Sequence, residues 1–131
     1  MGLYLDNIAL VYQTKFGAKE GNCLNACLAS LFSLPIGKTP DFSKMKGTWI
    51  SGFLRFLKSL GYQYVGTGTP EEVSEECGYT IVCGTSPRGL LHSVIYKDGK
   101  PFHDPHPDGG FVKVEYFYMI EKEPGADKEK P

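Results

Sequence analysis

This chain has little with which to leave water or to hold a general electrostatic partner. No apolar run nears the roughly 20 residues that a membrane-spanning helix needs. A net charge of -1 makes no case for nucleic acid or for an anionic membrane as a partner. The first ten residues lack a basic stretch followed by an apolar core, so no secretory signal is expected and the cytoplasm is the expected location. There the four cysteines are expected as thiols, not disulfides. Histidine is scarce. Only three occur, His92, His103 and His106, so any chemistry that needs an imidazole must draw on these. With 131 residues there is enough chain for one domain with a core and too little for two. No internal repeat is present.

What is there begins at Gly21. Asn22 is a good N-cap residue, and apolar side chains follow at 24, 27, 28, 31 and 32, the spacing of a one-sided helix. Pro35 closes it. Cys23 therefore falls in the first turn, where unpaired backbone N–H groups and the helix dipole favour negative charge. A cysteine so placed can have a lowered pKa and exist in part as the nucleophilic thiolate. Cys27, one turn on, reads as a packing residue. A polar, glycine-bracketed loop over 13–21 leads into this helix, preceded by a short strand or arm over 1–12. A second helix is expected over 48–60, capped by Thr48 and ended by Gly61.

Strand-rich segments then follow at 62–66, 79–84, 90–96, 102–104 and 111–120, with an acidic helical turn after Pro70. Helices first and strands after imply an α+β domain over residues 1–120, its nucleophile-bearing helix packed on a C-terminal antiparallel sheet. Residues 121–131 read as a charged, disordered tail. Tyr116, Phe117 and Tyr118 read as core and sheet face. The spacing of Cys77, Cys83, His103 and His106 lacks the tight pairs of structural zinc sites, so no metal and no cofactor are expected.

A nucleophilic cysteine needs a base, and the base needs an orienting group. His92 and Asp104 lie on the two strands of one hairpin. A three-residue loop, Lys97-Asp98-Gly99, would pair Tyr96 with Lys100 and set His92 opposite Asp104. A two-residue loop, Asp98-Gly99, would slip the register and send them to opposite faces. The three-residue loop is preferred because it gives both residues a chemical role. Cys23 is then nucleophile, His92 general base and acid, and Asp104 the orienting carboxylate. The Cys23 backbone N–H and the Gln13 side chain are the candidate oxyanion donors. Arg88, in the 86–89 turn, is a candidate clamp for a substrate carboxylate.

These pieces resemble the papain superfamily of cysteine peptidases. Nearest are the double-glycine leader peptidases of bacteriocin systems and small stand-alone papain-like proteins of bacteria and phages. The matching stretches are Gln13, Asn22-Cys23-Leu24-Asn25-Ala26-Cys27-Leu28-Ala29, Leu91-His92-Ser93-Val94-Ile95 and Asp104-Pro105. Asn22 stands where that group has aspartate, and Leu24 where it has glycine. The resemblance implies a papain-like fold and hydrolysis of a peptide, isopeptide or other amide bond through an acyl-enzyme on Cys23, with a protein or peptide as substrate. The alternatives are acyl transfer or deamidation on the same triad, or an inactive papain-fold protein that binds and blocks a host factor.

Overall fold

The apolar stripe after Asn22 becomes helix α1 (Cys23–Phe32), which stops at Ser33 in the left-handed conformation (φ 54°). The computed structural model describes residues 2–5, 8–17, 21–40, 42 and 49–123. From Ala26 to Leu31 every residue of α1 is buried, so this helix is enclosed by its neighbours and not laid along the surface. A short 3-10 helix (Ile36–Lys38) follows. Helix α2 (Trp49–Ser59) buries Gly52, Phe53 and Leu57, and Gly61 turns the chain out of it with φ 85°. Thr48, the expected cap, lies outside the described residues.

Five strands come next: β1 (Tyr62–Gly68), β2 (Tyr79–Thr85), β3 (Leu91–Lys97), β4 (Lys100–His103) and β5 (Lys113–Lys122). Between β1 and β2 the chain makes a 3-10 helix (Pro70–Glu75) whose start is closed by a Thr69–Glu72 capping box. The sheet order is β1-β5-β2-β3-β4, antiparallel at every pairing. The fold is thus α+β with one five-stranded antiparallel sheet. β5 continues through Lys122, two residues into the stretch expected to be tail. The remainder, 124–131, lies outside the described residues. Among the described residues no helix is long and apolar enough to cross a membrane.

Strand alternation divides the core. One face carries Tyr79, Ile81, Cys83, Ile95, Tyr118 and Ile120 against Cys27, Leu28 and Leu31 of α1 and Phe53 and Leu57 of α2. The other carries Val82, Val94, Tyr96 and Phe117 beneath Val73 of the second 3-10 helix. α1 lies against β3 and α2 against β1. Phe53, fully buried, joins the two halves of the helical face, its ring centroid 5.3 Å from that of Tyr118 and 5.9 Å from that of Tyr64.

The hairpin between β3 and β4 corrects the expected register. Lys97 pairs with Lys100, so the loop is the two-residue Asp98-Gly99. Both residues have positive φ, 51° and 78°, as a type I′ turn requires. Asp98 is held there from outside the hairpin. Its N–H donates to the Gly78 carbonyl at 2.9 Å, and its carboxylate accepts the Gly78 N–H at 2.8 Å. By itself this register would separate His92 from Asp104. A β-bulge undoes the slip: Tyr96 pairs with Pro101, but the next pair is Ile95 with His103. Phe102 is the extra residue. Asp104 is thereby returned to the face of Val94 and, two residues along β3, of His92.

Candidate active site

The first turn of α1 places Cys23 at the helix start, half-buried. Asn22 has the cap position without capping. Its side chain makes no bond to the helix N–H groups. Instead its Oδ1 accepts the N–H groups of Thr14 and Lys15, both at 3.0 Å, and its Nδ2 donates to Thr14 Oγ1 at 2.9 Å. The amide therefore fastens the loop that carries Gln13 to the start of α1. The first-turn N–H groups of α1, which Asn22 does not cap, are the kind of groups that favour an anion at a helix start.

His92 is buried at 3% exposure and Asp104 at 5%. His92 Nε2 donates to Asp104 Oδ1 at 2.6 Å, which leaves Nδ1 as the ring nitrogen available to Cys23. Asp104 is satisfied on every side: Oδ1 also accepts the His106 N–H at 2.9 Å, and Oδ2 accepts the Phe111 N–H at 2.8 Å. Burial pushes its carboxyl upward, but the bonds from His92, His106 and Phe111 outweigh burial and hold it below the usual carboxylate range. Phe111 supplies its N–H from a left-handed conformation (φ 56°). That is strained backbone for a bulky residue, kept where it serves the carboxylate.

The thiol and imidazole act on each other in the sense an ion pair needs. Burial pushes Cys23 upward. The hydrogen bonding and charge of His92, with hydrogen bonds from the Ser93 backbone and hydroxyl, more than reverse this, and the thiol lies below its ordinary value. Burial depresses His92, but its bonds to Asp104 and Cys23 and the charges of both raise it to about 9. Each shift favours the charged form of the other group, the direction that a thiolate–imidazolium pair needs.

Gln13 reaches the same cleft, only 8% exposed. Its backbone N–H donates to the Pro105 carbonyl at 3.0 Å. Its Nε2 donates to the Lys15 carbonyl at 2.9 Å, a bond that uses one of the two amide hydrogens. Arg88 also lines the cleft, but its guanidinium is already paired with Asp108. Two hollows of about 290 Å³ each meet at Cys23, Leu91 and His92. One has Gln13, Phe16, Arg88 and His106 in its wall. The other is walled by Leu24, Phe42, Trp49, Tyr116 and Tyr118.

Of the remaining cysteines and histidines, Cys27 and Cys83 pack in one core cluster and His106 lines the cleft. Cys27 is fully buried, and burial pushes it well above the ordinary thiol value. Cys83, pushed up to about 11 chiefly by burial, lies 3.3 Å from Ser93 Oγ. Cys77 is exposed, and His103 binds the Val11 carbonyl. Among the described residues no group of three or more His, Cys, Asp or Glu side chains is arranged to hold a metal ion.

The sequence reading missed Ser93, the two N–H donors to Asp104 and the aromatic wall of the cleft. Ser93 follows a histidine already singled out and was open to notice. The N–H groups of His106 and Phe111 carry no side-chain signal. Comparison of the chain with known protein families, with curated proteins and with solved structures finds no match.

Proposed function

We propose that this protein is a papain-like thiol hydrolase that cleaves a peptide, isopeptide or related amide bond through an acyl-enzyme on Cys23. One observation carries the reading: a buried His92–Asp104 pair at 2.6 Å beside a cysteine at a helix N-terminus. In the mechanism this reading implies, the Cys23 thiolate attacks the carbonyl carbon, and the oxyanion takes hydrogen bonds from the Cys23 N–H and the Gln13 amide. The C–N bond breaks as His92 Nδ1 gives its proton to the departing amine, leaving a thioester. His92 then takes a proton from water, the resulting hydroxide displaces the sulfur, and the carboxylic acid is released. Asp104 keeps the imidazole in the required tautomer throughout. Two hollows that meet at Cys23 and His92 suit a chain that runs past the nucleophile on both sides. A reducing compartment such as the cytoplasm would keep Cys23 competent.

The test is the iodoacetamide alkylation rate of each cysteine from about pH 4 to 9, read by peptide mass spectrometry, in wild type and in His92→Ala. Fast reaction of Cys23 alone below pH ~7, lost without His92, is the expected outcome. A Cys23 that titrates near the free-thiol value of ~8.5 would reject the hydrolase and leave a papain-fold binding protein as the reading. Should the pair exist, mass spectrometry of products in water with and without an added amine separates hydrolysis from acyl transfer or deamidation.

A further inference from the structure

Ten residues before the nucleophile, the chain crosses the molecule as a strap with an unusual number of fixings. The Ala9 N–H donates to the Ser30 carbonyl at 3.1 Å, and the Val11 N–H to Ser30 Oγ at 2.9 Å. Ser30, fully buried, passes its own hydroxyl hydrogen to the Ala26 carbonyl at 2.7 Å. His103 Nε2 then donates to the Val11 carbonyl at 2.8 Å, and the Tyr12 ring meets the His103 ring edge-on with centroids 4.9 Å apart. The next residue is Gln13, whose N–H is bound by the Pro105 carbonyl. Beyond it Asn22 holds Thr14 and Lys15.

His103 is 4% exposed, and nothing in the Cys23–His92–Asp104 chemistry uses it. It is the last residue of β4, and Asp104 is the residue after it. Successive residues on a strand point to opposite faces. One face of this strand end therefore meets His92 and the other meets the strap. The bulge at Phe102 that brings Asp104 to His92 also sets His103 against Val11.

We propose that His103 is a positioning residue for the oxyanion donor: through Val11 and Tyr12 it fixes Gln13, while Asp104 on the opposite face fixes the imidazole. Donor and base are thereby set by one strand end and keep a constant separation. This inference rests on the hydrolase reading, because it gives Gln13 its role. An oxyanion donor acts only when it is held where the charge develops, and a displacement of an ångström is worth about a hundredfold in rate.

Two reagents separate positioning from general stability. Acylation by p-nitrophenyl acetate passes through a tetrahedral oxyanion: the thiolate adds to the acetyl carbonyl, and p-nitrophenolate leaves with the electron pair. Alkylation by iodoacetamide displaces iodide directly and forms no oxyanion. His103→Ala is expected to slow acylation of Cys23 about tenfold or more while alkylation keeps its wild-type rate and pH profile. His103→Gln, which retains an N–H donor of similar reach, is expected to restore acylation. Gln13→Ala combined with His103→Ala is expected to lose no more than Gln13→Ala alone, as for two residues acting through one contact. If His103→Ala fails to fold, Tyr12→Ala, at a half-exposed position, gives the same selective loss at about threefold.

Acylation at the wild-type rate in His103→Ala, equal loss of both rates, or additive losses would overturn the proposal. Ordinary thiol behaviour of Cys23 in the wild type would instead remove the hydrolase reading and this inference together. Activated alkylation with an unchanged acylation-to-alkylation ratio would remove this inference alone.

Discussion

Asp104 keeps its charge against its own burial because three N–H donors converge on it. Asp104→Asn would keep the shape but present a neutral amide to His92, with wrong donors where acceptors stood. Two consequences are expected. The pKa of His92, read by NMR titration of its ring protons, falls below the value of about 9 that Asp104 and Cys23 sustain. Cys23→Ser also lowers it, because the bond and charge of the thiolate are lost. A titration unchanged in both variants would mean that neither partner touches the ring. Asn22 makes a second residue-scale case. Asn22→Ala removes the three side-chain bonds that hold Thr14 and Lys15. At about 1 kcal/mol or less for each exposed bond, a loss of about 1–2 kcal/mol by chemical denaturation is expected. Asn22→Asp keeps the acceptor and should recover most of it.

The decisive element is the β3–β4 hairpin. Its turn and its bulge each shift the register by one residue, and only the sum returns Asp104 to His92. Gly99→Ala tests the first shift. It places a side chain in the left-handed region (φ 78°), with a Cβ that would sit 2.9 Å from Ser74 Cα. A loss of about 1–2 kcal/mol is expected from conformation alone. Deleting Phe102 tests the second. It removes the bulge, leaves the type I′ turn and keeps Ile95 opposite His103, so Asp104 stays on the face of His92; fast alkylation of Cys23 at low pH should persist in a chain whose far-ultraviolet circular dichroism still reports a folded sheet. Loss of that reactivity would show that the local geometry of the bulge, and not the register alone, aims Asp104 at the imidazole.

At the scale of the whole molecule, stability and acid sensitivity follow from the two sides of the sheet. Phe53 joins α2 to the sheet through Tyr64 and Tyr118, so Phe53→Ala should cost about 3–5 kcal/mol, measured as a fall in the denaturation midpoint. Asp104 sets an acid limb. Its folded pKa is lowered from an unfolded value of ~3.9. Its contribution is therefore complete above that value and is lost as pH falls through the lowered folded value. Asp104→Asn should flatten the decline of stability below pH ~4, and an acid slope equal to wild type would deny the carboxylate this role.

Much of this molecule was readable in its residues. The α1 stripe, its cysteine in the first turn, the turn at Gly61, the helix-opening proline at position 70 and all five strands are local properties, set by side-chain periodicity and by glycine and proline punctuation within a few residues. Candidates for nucleophile, imidazole and carboxylate could be chosen because so few histidines exist. What the chain could not declare locally was which contacts win between distant segments. Asp98 adopts the left-handed turn because Gly78 binds it on both sides, and a three-residue loop would have been as natural in isolation. Asn22 gives up capping because Thr14 and Lys15 arrive beside it. The aromatic half of the cleft exists because Phe42 and Trp49 meet Tyr116 and Tyr118 across the core. Periodicity is the physics of neighbours in sequence and is written in the sequence itself. Register and the shape of the cleft are settled by competition among non-local hydrogen bonds and packing, and those energies exist only once the chain has folded.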